Sequence, residues 1–263
     1  MSRIGDAFAR CNSANRAAFI PFIMGGDPSL ETCAKLLNAL PAAGADIIEL
    51  GIPFSDPMAD GPTIQAAGIR ALAAGTTLKK ILHLAGEFRK NHATPLVLMG
   101  YLNPLYVYGY EAFAADAAAA GVDGMIIVDL PPEEAAELEP ILTKNNIALV
   151  RLIAPTSIEH RLPLLTKNAS GYFYYVSIAG ITGAGVATAS AVGDNITAIR
   201  AASALPVCVG FGIKTPADVR AMAATGADGV VVGSALVKLI EETNGDVAAL
   251  SSHIAELSRA CQR

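Results

Sequence analysis

One unit recurs three times in this chain and constrains its fold more than any other feature. A helix-like run closes on Gly, an Asp follows two residues later, and an apolar, largely β-branched run comes next. The copies are Ala43-Gly44-Ala45-Asp46-Ile47-Ile48, Ala120-Gly121-Val122-Asp123-Gly124-Met125-Ile126-Ile127-Val128 and Thr225-Gly226-Ala227-Asp228-Gly229-Val230-Val231-Val232. Glycine reaches the left-handed conformation that ends a helix, and a continuous apolar run is what a strand buried on both faces requires. Each copy therefore reads as the joint between a covering helix and a parallel strand. The same reading places strands at 19–24, 46–51, 95–100, 124–128, 148–153, 171–176, 206–210 and 229–232. Between them, Ala/Leu-rich stretches of helical period fall at 30–42, 63–74 with 78–91, 110–120, 132–145, 158–168, 194–204 and 216–225. A short helix around Arg3–Ala14 precedes them, and two more helical runs, the first at Ser234–Glu242, follow the last strand and end near Cys261. Eight such units predict an α/β fold, a (β/α)8 TIM barrel with an extra N-terminal helix. An open, doubly wound sheet is the rival, and the even length of the units favours closure. At 263 residues, with no linker, low-complexity tract or charge block, the whole of 1–263 is expected to be a single barrel domain.

Composition narrows the class. Hydrophobic residues make up 52% of the chain and charged ones 16%, ample for a large core. The longest apolar stretches fall well short of the ~20 residues that cross a bilayer. Met1–Asp6 has no apolar run leading to a cleavage site, so secretion is not expected. With 24 acidic against 19 basic residues and no basic run, the chain is a poor partner for nucleic acid. Cys11, Cys33, Cys208 and Cys261 are scattered, with no metal-ligand spacing, which suits reduced thiols. A cytoplasmic metabolic protein, bound to neither membrane nor nucleic acid, is the class that remains.

In such a barrel, chemistry gathers at the carboxyl ends of the strands. Glu49 sits inside the second apolar strand near that end, where a buried carboxylate needs either a basic partner or a raised pKa. The loop after it, Ile52 to Pro62, is stiffened by Pro and Gly and carries Asp56 and Asp60. Two carboxyls in different environments can divide proton donation and acceptance. Position alone leaves open which loop acid faces the cavity and whether Glu49 is merely a neutralised core acid. Farther along, Gly210-Phe211-Gly212 follows the seventh strand and Gly233-Ser234 the eighth. A lone Gly-x-Gly is often just a tight turn. Two such turns at adjacent barrel positions, one opening a helix at Ser234, suit a phosphate held by backbone N–H groups. The stretch from Ser177 to Gly193 is long for a strand-to-helix loop and rich in Gly, so it reads either as an ordinary loop or as a lid that excludes water. All eight lysines lie outside the predicted strands, which gives a Schiff base no desolvated site, and the four histidines fall on outer helices. Carboxylate acid–base chemistry on a substrate that supplies its own electron sink is what the residues favour.

The stretch Glu49-Leu50-Gly51-Ile52-Pro53-Phe54-Ser55-Asp56-Pro57-Met58-Ala59-Asp60-Gly61-Pro62, continuing into Thr63-Ile64-Gln65, closely resembles the defining segment of the tryptophan synthase α subunit family. Phe22 to Pro28, Tyr101-Leu102-Asn103-Pro104, Asp129-Leu130-Pro131, Ser177 to Gly183 and Gly210-Phe211-Gly212 are similar to that family in the same order along the chain. The resemblance implies a carbon–carbon lyase that splits indole-3-glycerol phosphate into indole and glyceraldehyde 3-phosphate by retro-aldol cleavage. It implies Glu49 and Asp60 as the catalytic acids, with Phe22, Ile64, Tyr101, Asp129 and Tyr174 against the substrate. Thr182 would position Asp60, and Gly183, Gly212, Gly233 and Ser234 would seat the phosphate. Singly, the apolar and aromatic strand-end residues would read as core. Ala179 departs from the larger polar residue many relatives carry there. The resemblance further implies no cofactor in this chain and a β subunit partner that carries pyridoxal phosphate, in an α2β2 heterotetramer. Contact would run through loops 52–60 and 103–109 and the turn at Pro131-Pro132. Two alternatives stand beside it: a free-standing indole-releasing lyase or other phosphate-binding barrel isomerase, and a non-catalytic subunit that activates a partner.

Overall fold

The computed structural model describes residues 2–176, 189–210 and 212–263. Its strands are β1 (Ala18–Met24), β2 (Ile48–Gly51), β3 (Leu96–Gly100), β4 (Gly124–Ile127), β5 (Ala148–Ile153), β6 (Phe173–Val176), β7 (Val207–Gly210) and β8 (Gly229–Val232). Each pairs in parallel with the next, and β8 closes on β1 through Ala18 opposite Gly229. The rival open sheet is thereby excluded: the fold is a (β/α)8 barrel.

The helices are α1 (Arg3–Ser13), α2 (Leu30–Ala43), α3 (Pro62–Ala73), α4 (Leu78–Arg89), α5 (Leu102–Tyr108), α6 (Tyr110–Ala119), α7 (Leu138–Lys144), α8 (Ile158–Thr166), α9 (Ala189–Ala202), α10 (Pro216–Ala224), α11 (Ser234–Glu242) and α12 (Val247–Arg259). Side-chain caps start several of them. Ser29 accepts from the Thr32 N–H at α2, and Thr215 with Asp218 forms a capping box at α10. Alternate strand residues divide between two apolar bodies. Phe19, Ile23, Leu50, Leu98 and Val209 face the helix layer. Ile20, Val97, Ile126, Val150, Tyr172, Tyr174, Cys208 and Val231 fill the barrel lumen, with Ile4, Phe8 and Cys11 of α1 packed among them from the N-terminal end.

The recurring unit takes the form its residues require. Gly44, Gly121 and Gly226 all have positive φ (111°, 75° and 89°), as a helix-ending glycine does. Each following Asp then pairs with the start of the preceding strand in both directions. The Asp46 N–H donates to the Phe19 carbonyl (3.0 Å) while its Oδ2 accepts the Phe19 N–H (2.9 Å). Asp123 does the same with Leu96 (2.9 and 2.9 Å), and Asp228 with Val207 (2.8 and 2.9 Å). Arginines neutralise these carboxylates: Arg16 on Asp46, Arg3 and Arg89 on Asp123, and Arg200 and Arg263 on Asp228. A fourth joint uses a hydroxyl instead, Ser170 Oγ accepting the Leu149 N–H at 2.9 Å.

Four expectations need correction. The second strand begins at Ile48, not 46, because Asp46 and Ile47 lie before the ladder and Asp46 makes the clamp just described. Residues 103–109 are not a loop but mostly α5, whose first N–H groups include Leu102, donated to Asp129 Oδ1 at 2.8 Å. The run 132–145 is broken into a single 3-10 turn at Pro132–Glu134 and α7. Helix α9 already includes residues 189–193, so the stretch from 177 to 193 is not all loop.

Candidate active site at the carboxyl ends of the strands

Strand β2 projects Glu49 into the lumen, in register with Phe22 on β1, so that acid and ring lie side by side at the same barrel level. Glu49 is 1% exposed. The Tyr172 hydroxyl, fully buried just before β6, donates to Glu49 Oε1 at 2.7 Å, and among the described residues Oε2 has no hydrogen-bond partner. Among the described residues no cation neutralises it. Burial drives the Glu49 carboxyl up to about 8, and the Tyr172 hydrogen bond offsets only part of that rise. At neutral pH this is mainly a protonated acid, close to the working range of a general acid–base. The Tyr172 and Tyr174 hydroxyls are raised well above their usual range by burial and by the nearby Glu49, so both stay protonated donors.

Asp60 lies in the loop leaving β2, half-buried, and burial raises its carboxyl, with the neighbouring Tyr101 hydroxyl acting the other way. Tyr101, at the N-cap of α5, braces that loop: its hydroxyl accepts the Ala59 N–H at 3.0 Å, and its ring lies 5.3 Å from that of Phe54. Asp56 is exposed and accepts from its neighbour Ser55 at 2.6 Å, which makes Asp60 the less solvated of the two loop acids. Phe22, Met24, Ala67, Ala71 and Val237, with Ile64 and Met99 against them, form a small apolar body joining β1, α3 and α11. Tyr174 faces the same lumen from β6. A Cβ on Gly210 would come within 2.1 Å of its hydroxyl oxygen, so the bare glycine makes room for the ring.

Asp129 is exposed beyond β4, and its carboxylate is engaged with the Leu102 N–H. Gly212, with φ +74°, follows β7. Gly233 N-caps α11 with no side-chain hydrogen bond, and its carbonyl already takes the Leu236 and Val237 N–H groups, so the N–H groups of Ser234 and Ala235 are the ones this helix start could offer an anion. Thr182, Gly183 and Ala179 lie outside the described residues.

Sequence reasoning missed Tyr172, which holds Glu49. It did place 171–176 in one strand, and a period of two puts Tyr172 and Tyr174 on one face, so the signal was there. Gln65 was also passed over as a site residue. Among the described residues, no cluster of three His, Cys, Asp or Glu could hold a metal, and no helix is long and apolar enough to cross a membrane.

A closed parallel barrel that gathers two carboxyls of raised pKa and the start of α11 at its carboxyl-end mouth places this chain among the (β/α)8-barrel proteins, with its candidate site at that mouth. The family model described as tryptophan synthase alpha chain matches residues 8–262. The tryptophan synthase subunit alpha of Legionella pneumophila strain Paris is 39% identical, with 99% of this chain and 98% of that one covered and a TM-score of 0.91. A tryptophan synthase structure from Mycobacterium tuberculosis is 35% identical, with 100% and 99% covered and a TM-score of 0.91. This chain belongs to the tryptophan synthase alpha chain family. It is a lyase-type enzyme of tryptophan biosynthesis.

Proposed function

We propose that this chain cleaves indole-3-glycerol phosphate to indole and glyceraldehyde 3-phosphate, with Glu49 and Asp60 as its catalytic residues. The observation that carries the reading is Glu49: a carboxyl wholly inside the lumen, raised by burial to about 8, which among the described residues has no cation beside it and one oxygen without a hydrogen-bond partner. Its proton goes to indole C3, giving an indolenine cation. The bond from C3 to the side chain then breaks and its electron pair returns to the ring. The Glu49 carboxylate takes the proton of the side-chain hydroxyl, which becomes the aldehyde carbonyl, and the acid is restored. Asp60 accepts a hydrogen bond from the ring N–H and stabilises the positive charge. Phe22, Ile64, Tyr101 and Tyr174 supply the apolar slot. Gly212, Gly233 and Ser234 receive the phosphate on backbone N–H groups, with Gly183 completing the set, and Thr182 positions Asp60. Asp129, engaged with Leu102 at the start of α5, shapes the mouth beside them.

In this reading residues 1–263 work as one domain in the cytoplasm. A β subunit, in an α2β2 heterotetramer, takes up the indole and carries the pyridoxal phosphate. Met58, Tyr106 and Val107, 85%, 68% and 76% exposed, put apolar surface on the loop after β2 and on α5, the same face as the acids, and this supports a partner docking there.

The test is indole release by the chain alone and with added β subunit, for the wild type, Glu49→Gln and Asp60→Asn. A large rise on mixing, and a loss of about 10²–10⁴-fold in each variant with an unchanged circular dichroism spectrum, is the expected result. Strong activity of the chain alone points instead to a free-standing lyase, and no cleavage in either state to a non-catalytic subunit.

A further inference from the structure

Asp60 hangs on a loop, and a catalytic carboxyl needs its backbone fixed. Residues 56–60 carry only two short internal bonds, Met58 N–H to Asp56 O at 2.9 Å and Asp60 N–H to Pro57 O at 3.1 Å. Among the described residues, two side chains from outside the loop hold its backbone. One is Tyr101, through Ala59 as described. The other is Gln65, whose Nε2 donates to the Asp60 carbonyl at 2.8 Å and also reaches the Pro57 carbonyl at 3.5 Å. A single amide thus meets both ends of the turn that carries Asp60.

The base from which Gln65 acts is itself anchored. Gln65 lies in the first turn of α3, its N–H bonded to the Gly61 carbonyl at 3.0 Å. Five residues on, Arg70 makes a two-point pair with the buried Asp27 (2.8 and 2.9 Å) beyond β1 and a third bond to Glu241 of α11 (2.6 Å). The helix that grips the acid loop is therefore tied to the loop after β1 and to the helix whose first turn faces the phosphate. Gly61, the N-cap of α3, has no side chain with which to restrain the loop.

We propose that Gln65 is a positioning residue for Asp60, its side-chain amide fixing the 57–60 turn so that the Asp60 carboxyl meets the substrate ring. The proposal rests on Asp60 being catalytic. A carboxyl displaced by about 1 Å can lose on the order of 10²-fold in rate, and the expected effect falls on kcat rather than KM because the Gln65 amide is engaged with the loop carbonyls.

The test compares indole release by the wild type, Gln65→Met and Gln65→Glu across pH, with circular dichroism as the control for folding. Gln65→Met keeps the length and loses the donor, so kcat should fall by about 10-fold or more with KM within about twofold. Gln65→Glu is nearly isosteric and is a donor only when protonated. Ionised, it faces two carbonyl oxygens and repels them. Its kcat relative to wild type should therefore rise several-fold as pH falls from about 8 to about 5, as the protonated fraction grows on approach to the ordinary glutamate value of about 4.3. A purely packing role gives a ratio that does not change with pH. The proposal is overturned by a pH-independent ratio, by a Gln65→Met enzyme with kcat near wild type, or by a loss confined to KM. If Gln65→Met does not fold, the Gln65→Glu pH ratio decides alone. Asp60→Asn in the same series separates the two readings: full turnover there removes Asp60 from the chemistry, whereas an inactive Asp60→Asn beside a normal Gln65→Glu removes only Gln65.

Discussion

Replacing Glu49 by Gln should make this enzyme more stable at alkaline pH while removing its activity. The folded-state pKa of Glu49 is raised from 4.5 to about 8 by burial. Between those values the folded chain holds a proton that the unfolded chain has lost, so wild-type stability falls as pH rises through the window and levels off above about 8. Below the unfolded value both states are protonated and there is no penalty. The window spans about 3.5 pH units at 1.36 kcal/mol each, so ionising Glu49 costs on the order of 5 kcal/mol at most, an upper bound because water entry or local rearrangement relieves part of it. Gln carries no charge and still offers its carbonyl oxygen to the Tyr172 hydroxyl, which keeps the lumen packed. Urea unfolding of both proteins at several pH values, with the slope of the transition checked for constancy, measures the difference directly. Stabilities should converge near pH ~5 and separate by several kcal/mol near pH ~9. A difference that stays flat across that range would mean that Glu49 titrates normally, and the argument from a desolvated acid would be wrong.

Two further predictions concern opposite ends of the barrel. Gly212→Ala forces a β-carbon onto a residue with φ +74°, at a cost of about 1–2 kcal/mol, and shifts a backbone N–H proposed to bind phosphate. KM for the phosphorylated substrate should rise several-fold with little change in kcat, and an unchanged KM would place the phosphate elsewhere. Asp123→Ala takes one acceptor each from the part-exposed Arg3, from Arg89 (which keeps the Gly121, His92 and Thr94 carbonyls) and from the Leu96 N–H, and losing this buried carboxylate should lower stability by about 2–3 kcal/mol, read as a lower urea midpoint. Because that cluster lies at the amino ends of β3 and β4, kcat of the folded protein should be unaffected, and a large loss of turnover would contradict the separation of the two ends.

Barrel closure was legible because the Gly-x-Asp joint carries two local requirements at once, a left-handed backbone at glycine and a both-faces-buried strand after it. Both are properties of short segments. The placement of Glu49 was legible for the same reason, since a carboxyl amid Ile48 and Leu50 has nowhere polar to go along its own strand. What holds Glu49 was not legible as chemistry, because Tyr172 is 123 residues away and comes beside it only through closure. Helix α5 was missed because Asn103-Pro104 reads as a turn. The N–H of Leu102, its first residue, is satisfied by the distant Asp129 carboxylate, and the Pro sits within its first turn, where a missing N–H costs nothing. Asp46 was assigned to a strand because it adjoins Ile47 and Ile48. Its true role depends on Arg16, which no periodicity connects to it.

The three clamped aspartates have a consequence for how such a molecule can change over generations. Each sews a strand to its predecessor where the chain enters the sheet, with the N–H and carboxylate of one residue acting as a two-stitch fastening and arginines from surrounding segments as backing. Alignment of the staves is thereby settled at the foot. Segments at the rim, where Asp60, α5 and α11 work, inherit that alignment rather than create it. They can be rewritten for another molecule or another companion without loosening the vessel that carries them.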